Sequence, residues 1–187
     1  MNEFHTPGRD KLVTKAIHLW GRVLMVNQRM KVLIAVEDEF FGNCIFNFLR
    51  TLGWIKDAQI RLVHIVEPLL VDNYMSFAPA PVLTDVVKIH LERGKVLLDK
   101  LEADILSSLE GGTVEKAVYE DFAKTAILDD AKNWGADLII VGSHGRKGFS
   151  KFFLGSVSQA VCGHADRPVL VVRPTQEALA GKSSDVA

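Results

Sequence analysis

The run Gly142-Ser143-His144-Gly145, followed after nine residues by Gly155-Ser156, is the part of this chain whose residue types and spacing could hold a phosphate. It leaves the apolar stretch Asp137-Leu138-Ile139-Ile140-Val141 and ends where a helix can start. Glycines allow positive φ and let backbone N–H groups approach a ligand closely. Ser156 adds a hydroxyl at a helix N-terminus, where unbonded N–H groups and the macrodipole favour an anion. A strand, a glycine-rich turn and a helix N-terminus together make a phosphate cradle. On spacing alone, plain turn geometry explains such glycines better than a ligand does. The elements around them must decide.

Those elements alternate. Lys31–Val36 is a short, nearly continuous apolar run, the pattern of a parallel strand buried on both faces. Asn43–Leu52 has helical apolar spacing and is followed by Gly53, and Ile60–Val66 reads as a second strand. A loop containing Pro68, Pro79 and Pro81 precedes the longest helical pattern, Thr84 to Leu109, which Gly111-Gly112 ends. Val114–Tyr119 reads as strand three, and Ala126 to Trp134 as a helix stopped by Gly135. Leu138–Val141 and Val169–Val172 are strands four and five, with the helix Ser156–Gly163 between them. Strands alternating with helices in this way predict an α/β fold, a parallel sheet with right-handed crossovers.

In an open parallel sheet the ligand sits beyond the carboxyl ends of the strands, where strand order reverses. Strand one ends in Glu37-Asp38-Glu39. If strands one and four are neighbours, these acids and the glycine loop face one crevice. Glu37 reads equally as a ligand for ribose hydroxyls or a phosphate-bound metal and as a solvated charge. Asp38 and Glu39 read as mostly solvated, with capping of the following helix the other plain role open to these acids. No G-x-G-x-x-G follows strand one and no G-x-x-x-x-G-K-[ST] occurs, so neither a dinucleotide fingerprint nor a P-loop is present. Ser156-Val157-Ser158-Gln159 also matches a capping box, so Ser156 has a structural role open to it beside ligand contact. Arg146, Lys147 and Lys151 in the spacer could neutralise phosphate charge, although basic residues on a loop are usually solvated. His64, His90, His144 and His164 show no metal-ligand spacing. No nucleophile elbow or other catalytic constellation stands out.

Bulk properties narrow the class. The 187 residues suit one well-cored domain, 48% are hydrophobic and 24% charged, and the net charge is -1. Such a balance speaks against nucleic acid or an anionic membrane as partner. No apolar run reaches the roughly 18 residues of a membrane span. Cys44 and Cys162, far apart and outside any C-x-x-C, read as buried thiols of a reducing compartment, with the cytoplasm as the default. Residues 1–29 form a separate N-terminal extension, basic on balance, with one amphipathic stretch at Lys15–Val26 that Arg22 interrupts. It reads as a start-site artefact ahead of Met30, a loosely attached helix, or a partner-binding arm. The stretch from Thr175 to Ala187 is small and polar and reads as a disordered tail.

G-x2-G-x9-G-[ST] after ADLIIVGSHGR, with RPVLVVR as the next strand, resembles the universal stress protein family over residues 30 to 174. The resemblance implies an open five-stranded parallel sheet of order 3-2-1-4-5 with helices on both faces, of the adenine-nucleotide alpha-hydrolase-like type. It implies a homodimer paired through Val169–Val172, which would protect an edge strand. Gly142, Gly145, Gly155 and Ser156 complete the motif of the ATP-binding branch. By position, Ala35 and Ile65 would flank the adenine and Val141 the base or ribose. Gly142, Gly145, Arg146, Gly155, Ser156 and Val157 would surround the phosphates. Glu37 stands where the family usually has aspartate, and Asp121 where it tends to have glycine, a change that could narrow the nucleotide entrance. The expected function is a nucleotide-responsive regulator in the stress response, binding ATP with magnesium and acting on a protein partner. The rivals are a slow ATP hydrolase or self-phosphorylating protein, and a dimeric interaction module with an empty pocket.

Overall fold

The structure, a computed structural model, describes residues 29–68, 80–107, 109–143 and 154–179. Its strands are β1 (Lys31–Ala35), β2 (Gln59–Val66), β3 (Thr113–Glu120), β4 (Leu138–Gly142) and β5 (Val169–Val172). All four pairings are parallel, in the order β3-β2-β1-β4-β5. The helices are α1 (Glu39–Leu49), α2 (Ala80–Leu106), α3 (Ala123–Trp134) and α4 (Ser156–His164), with a 3-10 turn at Gly53–Asp57.

Strand alternation divides the core into two layers. Val32, Ile34, Ile60, Leu62, Leu138 and Ile140 point to one face, where Ile45, Leu49, Leu98 and Leu101 of α1 and α2 cover them. Leu33, Val63, Ile139 and Val141 point to the other, under Ile127 and Ala131 of α3 and Val161 of α4. Each face of every central strand is therefore buried, which is why β1 and β4 read as unbroken apolar runs.

The α1–α2 face is closely fitted. A Cβ placed on Gly94 of α2 would lie 2.6 Å from Cδ2 of His64 and 3.1 Å from Cγ1 of Val118. Only a residue without a side chain lets α2 sit this near β2 and β3. His64 itself is buried, and its Nδ1 lies 2.9 Å from the Val36 carbonyl oxygen, which accepts its proton.

Several helix boundaries differ from the sequence expectation, each for a local reason. α1 begins at Glu39 rather than Asn43, because the Asp38 side chain accepts from Phe41 N at 2.9 Å and caps it. It ends at Leu49, and Gly53 opens the 3-10 turn instead of closing the helix. α2 begins at Ala80, before Thr84, because Pro81 falls in the first turn, where no N–H partner is required. It ends at Leu106, where Ser107 Oγ donates to the Asp104 carbonyl, well before the glycine pair. α3 starts at Ala123, with Thr125 N and Ala126 N both donating to Phe122 O. Gly135 ends it in the left-handed conformation at φ 74°, as its position predicts.

Two other expectations are corrected. Cys44 is half-buried and Cys162 exposed, because each adjoins the buried position of its helix (Ile45 and Val161) rather than occupying it, and neither is in a disulfide. Residues 176–179 form a helical turn whose Thr175 Oγ1 accepts from Ala178 N, so the region after β5 starts with capped structure. Among the described residues no helix is long and apolar enough to cross a membrane.

Candidate functional site

The order β3-β2-β1-β4-β5 reverses between β1 and β4. The chain leaves β1 for α1 on one face and leaves β4 toward α4 on the other. The two exits diverge, and a crevice opens between them at the carboxyl ends of the strands. The register sets Ala35 of β1 beside both Val63 of β2 and Val141 of β4. Ala35, Ile65, Val141 and Val157 all belong to the apolar cluster of the α3–α4 face. These four sequence-chosen residues thus share one wall.

Beyond that wall the backbone is clamped. Ser143, 1% exposed, donates its N–H to Val172 O at 2.8 Å, and its own carbonyl accepts from Gly155 N at 2.7 Å. Ser158 Oγ donates to Gly142 O at 2.5 Å. Gly142 and Gly155 are therefore held together at the first turn of α4. Gly145 and Arg146 lie outside the described residues, as do Lys147, Lys151 and His144.

The helix N-terminus differs from expectation in a useful way. The N-cap is Gly155, not Ser156, and Gln159 N donates to the Gly155 carbonyl, so the capping box on Ser156 does not form. With glycine as cap, the cap residue has no side chain to offer the first-turn N–H groups, and no acidic residue occupies that turn. Ser156 is an exposed first-turn residue, with its hydroxyl not committed to a cap.

The acids after β1 have separate duties. Glu37 is exposed above the end of the strand. Asp38 caps α1, and Glu39 pairs with Lys100 of α2, so neither is simply solvated as the sequence suggested. At the end of β3, Asp121 N donates to Val66 O, and its Oδ1 accepts from Phe122 N at 2.6 Å. Its carboxylate is thereby engaged in its own turn. Among the described residues no group of three or more His, Cys, Asp or Glu could hold a metal ion.

The sequence reading missed a polar network farther down the α3–α4 face. Arg61 of β2 donates Nε to Asp130 Oδ2 at 2.8 Å and Nη2 to Oδ1 at 3.0 Å, a two-pronged pair. Nη1 reaches Glu115 at 2.9 Å, and Nη2 also reaches the Tyr119 hydroxyl, which donates to Asp130 at 2.8 Å. Trp134 lies under both Lys31 and Arg61. The hydrogen bond to Asp130 raises the basicity of Arg61, and burial pushes the Tyr119 hydroxyl above its ordinary value. An arginine inside an apolar strand and an aspartate beside Ile127 and Ala131 were the available signals. Nothing local couples two positions 69 residues apart.

This fold, with a glycine-clamped helix N-terminus at the switch point, defines a doubly wound α/β domain of strand order β3-β2-β1-β4-β5. A model of the Universal stress protein family matches residues 48–173. The chain is 42% identical over 144 residues to Universal stress protein A homolog 2 of Coxiella burnetii, covering 76% of this chain and 94% of that protein. The structure of universal stress protein UspA from Lactobacillus plantarum superposes with a TM-score of 0.63 at 23% identity, covering 79% of this chain and 100% of that one. A universal stress protein family protein from Arabidopsis thaliana, with AMP bound, gives a TM-score of 0.50 at 19% identity, covering 79% and 94%. The chain belongs to the universal stress protein family.

Proposed function

We propose that this chain is a nucleotide-responsive regulator that binds ATP with magnesium in the crevice between β1 and β4 and works as a homodimer paired through β5. The observation that carries the reading is the first turn of α4: capped by a glycine, free of acids, and clamped to Ser143 beside the apolar wall of Ala35, Ile65, Val141 and Val157. An adenine suits the wall, and phosphate oxygens suit the helix N-terminus. The AMP held by the Arabidopsis relative supports an adenine nucleotide as the ligand class.

Glu37 is the carboxylate we assign to the ribose hydroxyls or to magnesium carried on the phosphates. Magnesium bound with a nucleotide needs only one or two protein carboxylates, and it supplies neutralisation of phosphate charge. The edge position of β5, with Val169, Leu170 and Val171 only partly buried, supports pairing with a second copy. Regulation then requires that nucleotide bind two conformations unequally, so that a protein partner meets a changed surface.

Calorimetric titration with ATP and magnesium, and with AMP, tests the site. Ser156→Ala is the informative variant, because Ser156 is not the cap: its melting temperature should match wild type while its ATP affinity falls about tenfold, the value of a charge-assisted hydrogen bond. Absence of heat and of thermal shift with both nucleotides would overturn the reading. Light scattering should give the mass of a dimer, and a monomer at all concentrations would remove the β5 pairing.

A further inference from the structure

An apolar cleft opens near the amino end of β2, the end of the sheet away from the crevice between β1 and β4. It spans about 270 Å³ between the end of α1, the 3-10 turn and the end of α2. Phe46, Leu49, Ile55, Ile60, Ile105 and Leu109 line it, with Arg50 and Asp104 beside them. The first five of these apolar residues are buried. Leu109 is partly exposed, and Leu106, next to Ile105, is 48% exposed. A cleft of this composition gains from an apolar cover.

The chain enters the fold beside this cleft. Residues 1–28 lie outside the described residues, and Arg29 is the first position after them. Arg29 Nε stands 4.0 Å from Asp57 Oδ1, and Met30 O accepts from Gln59 N at 2.9 Å. Asp57 lies two residues past Ile55 in the 3-10 turn, where each residue advances about 2 Å. A Cβ on Gly111, two residues past Leu109, would lie 3.9 Å from Nη2 of Arg29. Two walls of the cleft thus stand next to the point where residues 1–28 join the fold.

The preceding sequence fits such a cleft. Within Lys15–Val26, the residues Ala16, Ile17, Trp20, Val23 and Leu24 recur at the spacing of one helical face. Lys15, His18 and Arg22 fall opposite them. Trp20 is central in the apolar set and has the largest apolar surface to bury. Residues 1–28 hold Arg9, Lys11, Lys15 and Arg22 against Glu3 and Asp10. The surroundings of the cleft hold Asp57, Asp104 and Glu110 against Arg50 and Lys56, and opposite balances favour the approach. Val26 is three residues from Arg29, a reach of about 10 Å for extended chain. We propose that the segment Lys15–Val26 docks on this cleft as an amphipathic helix, with Trp20 seated in it. The docking requires no nucleotide.

The test is amide hydrogen exchange on the full chain, for wild type, Trp20→Asp and His18→Gln. In wild type the amides of residues 16–24 should exchange slower than in an unstructured chain by about tenfold or more. Trp20→Asp should abolish that protection and speed exchange around Ile55 and Leu109. Protection of β1 and β4 should persist in this variant, which marks the domain as still folded. His18→Gln, on the polar side, should change nothing. Exchange of residues 16–24 at the unstructured rate in wild type would overturn the docking. So would unchanged exchange around Ile55 and Leu109 in Trp20→Asp, or an equal loss of protection in His18→Gln. Protection that fades as the protein is diluted would give the cleft to a second copy and overturn docking within one chain.

Discussion

The two faces of the sheet solve different problems. The α1–α2 face is a continuous apolar layer, fitted so closely that Gly42 and Gly94 have no room for a side chain, with its charged pairs kept at the perimeter. The α3–α4 face has a smaller apolar cluster, with the Arg61 network toward one part and the clamped α4 N-terminus at the carboxyl end. Polar groups that must be satisfied and the backbone to which we assign a ligand share the second face. The first is free to be simply stable. A domain of this size can hold a polar site because the other side of the same strands carries most of the hydrophobic stabilisation.

The largest test of that contrast is Leu101→Ala. Leu101 is fully buried between α1 and α2, and its loss should cost about 3–4 kcal/mol in urea unfolding. A cost below about 1 kcal/mol would mean that this face can collapse around a void and is not tightly fitted. Next comes Asp130→Ala, which strands Arg61 and the Tyr119 hydroxyl. Because Arg61 keeps 19% side-chain exposure, the expected cost is about 2–3 kcal/mol, at or below the low end for a broken buried pair. Replacing both partners, as Arg61→Met with Asp130→Leu, should recover much of it if the network specifies geometry more than stability.

Asp38→Ala should cost about 1 kcal/mol by removing the α1 cap, whereas Ser156→Ala should cost almost nothing. The smallest effect is alkaline. Lys116 is held protonated by hydrogen bonds to Asp99 and Glu102, and Tyr119 is held protonated chiefly by burial. Both bind their protons more firmly when folded. Their contribution is complete below the unfolded values near 10 and is lost as pH rises through the raised folded values. Tyr119→Phe should flatten the alkaline fall attributable to the α3–α4 face, and phenolate absorbance of the wild type should appear later than in the unfolded chain.

The strands were legible because each carries its own period: β5 is found at Val169–Val172 as read, and β4 extends one residue to Gly142. The glycine spacing was legible for the same reason, since it is local, and the structure joins Gly142 and Gly155 through the bonds of Ser143 and Ser158. What escaped was tertiary. Which of the three acids after β1 caps the helix is not decided until Phe41 N turns toward Asp38, and Ser156 looks like a cap until Gly155 takes that role. The Arg61–Asp130 pair depends on β2 and α3 meeting across the sheet, which no window of sequence contains.

The contact of Gly94 with the His64 ring carries an evolutionary consequence. The two positions can drift only as a pair: a side chain at 94 demands a smaller ring or none at 64, and the Val36 carbonyl then needs another donor. Descendants of this chain should therefore change both sites together or neither. In the laboratory the same coupling should make Gly94→Ala less damaging in a His64→Ser background than in wild type.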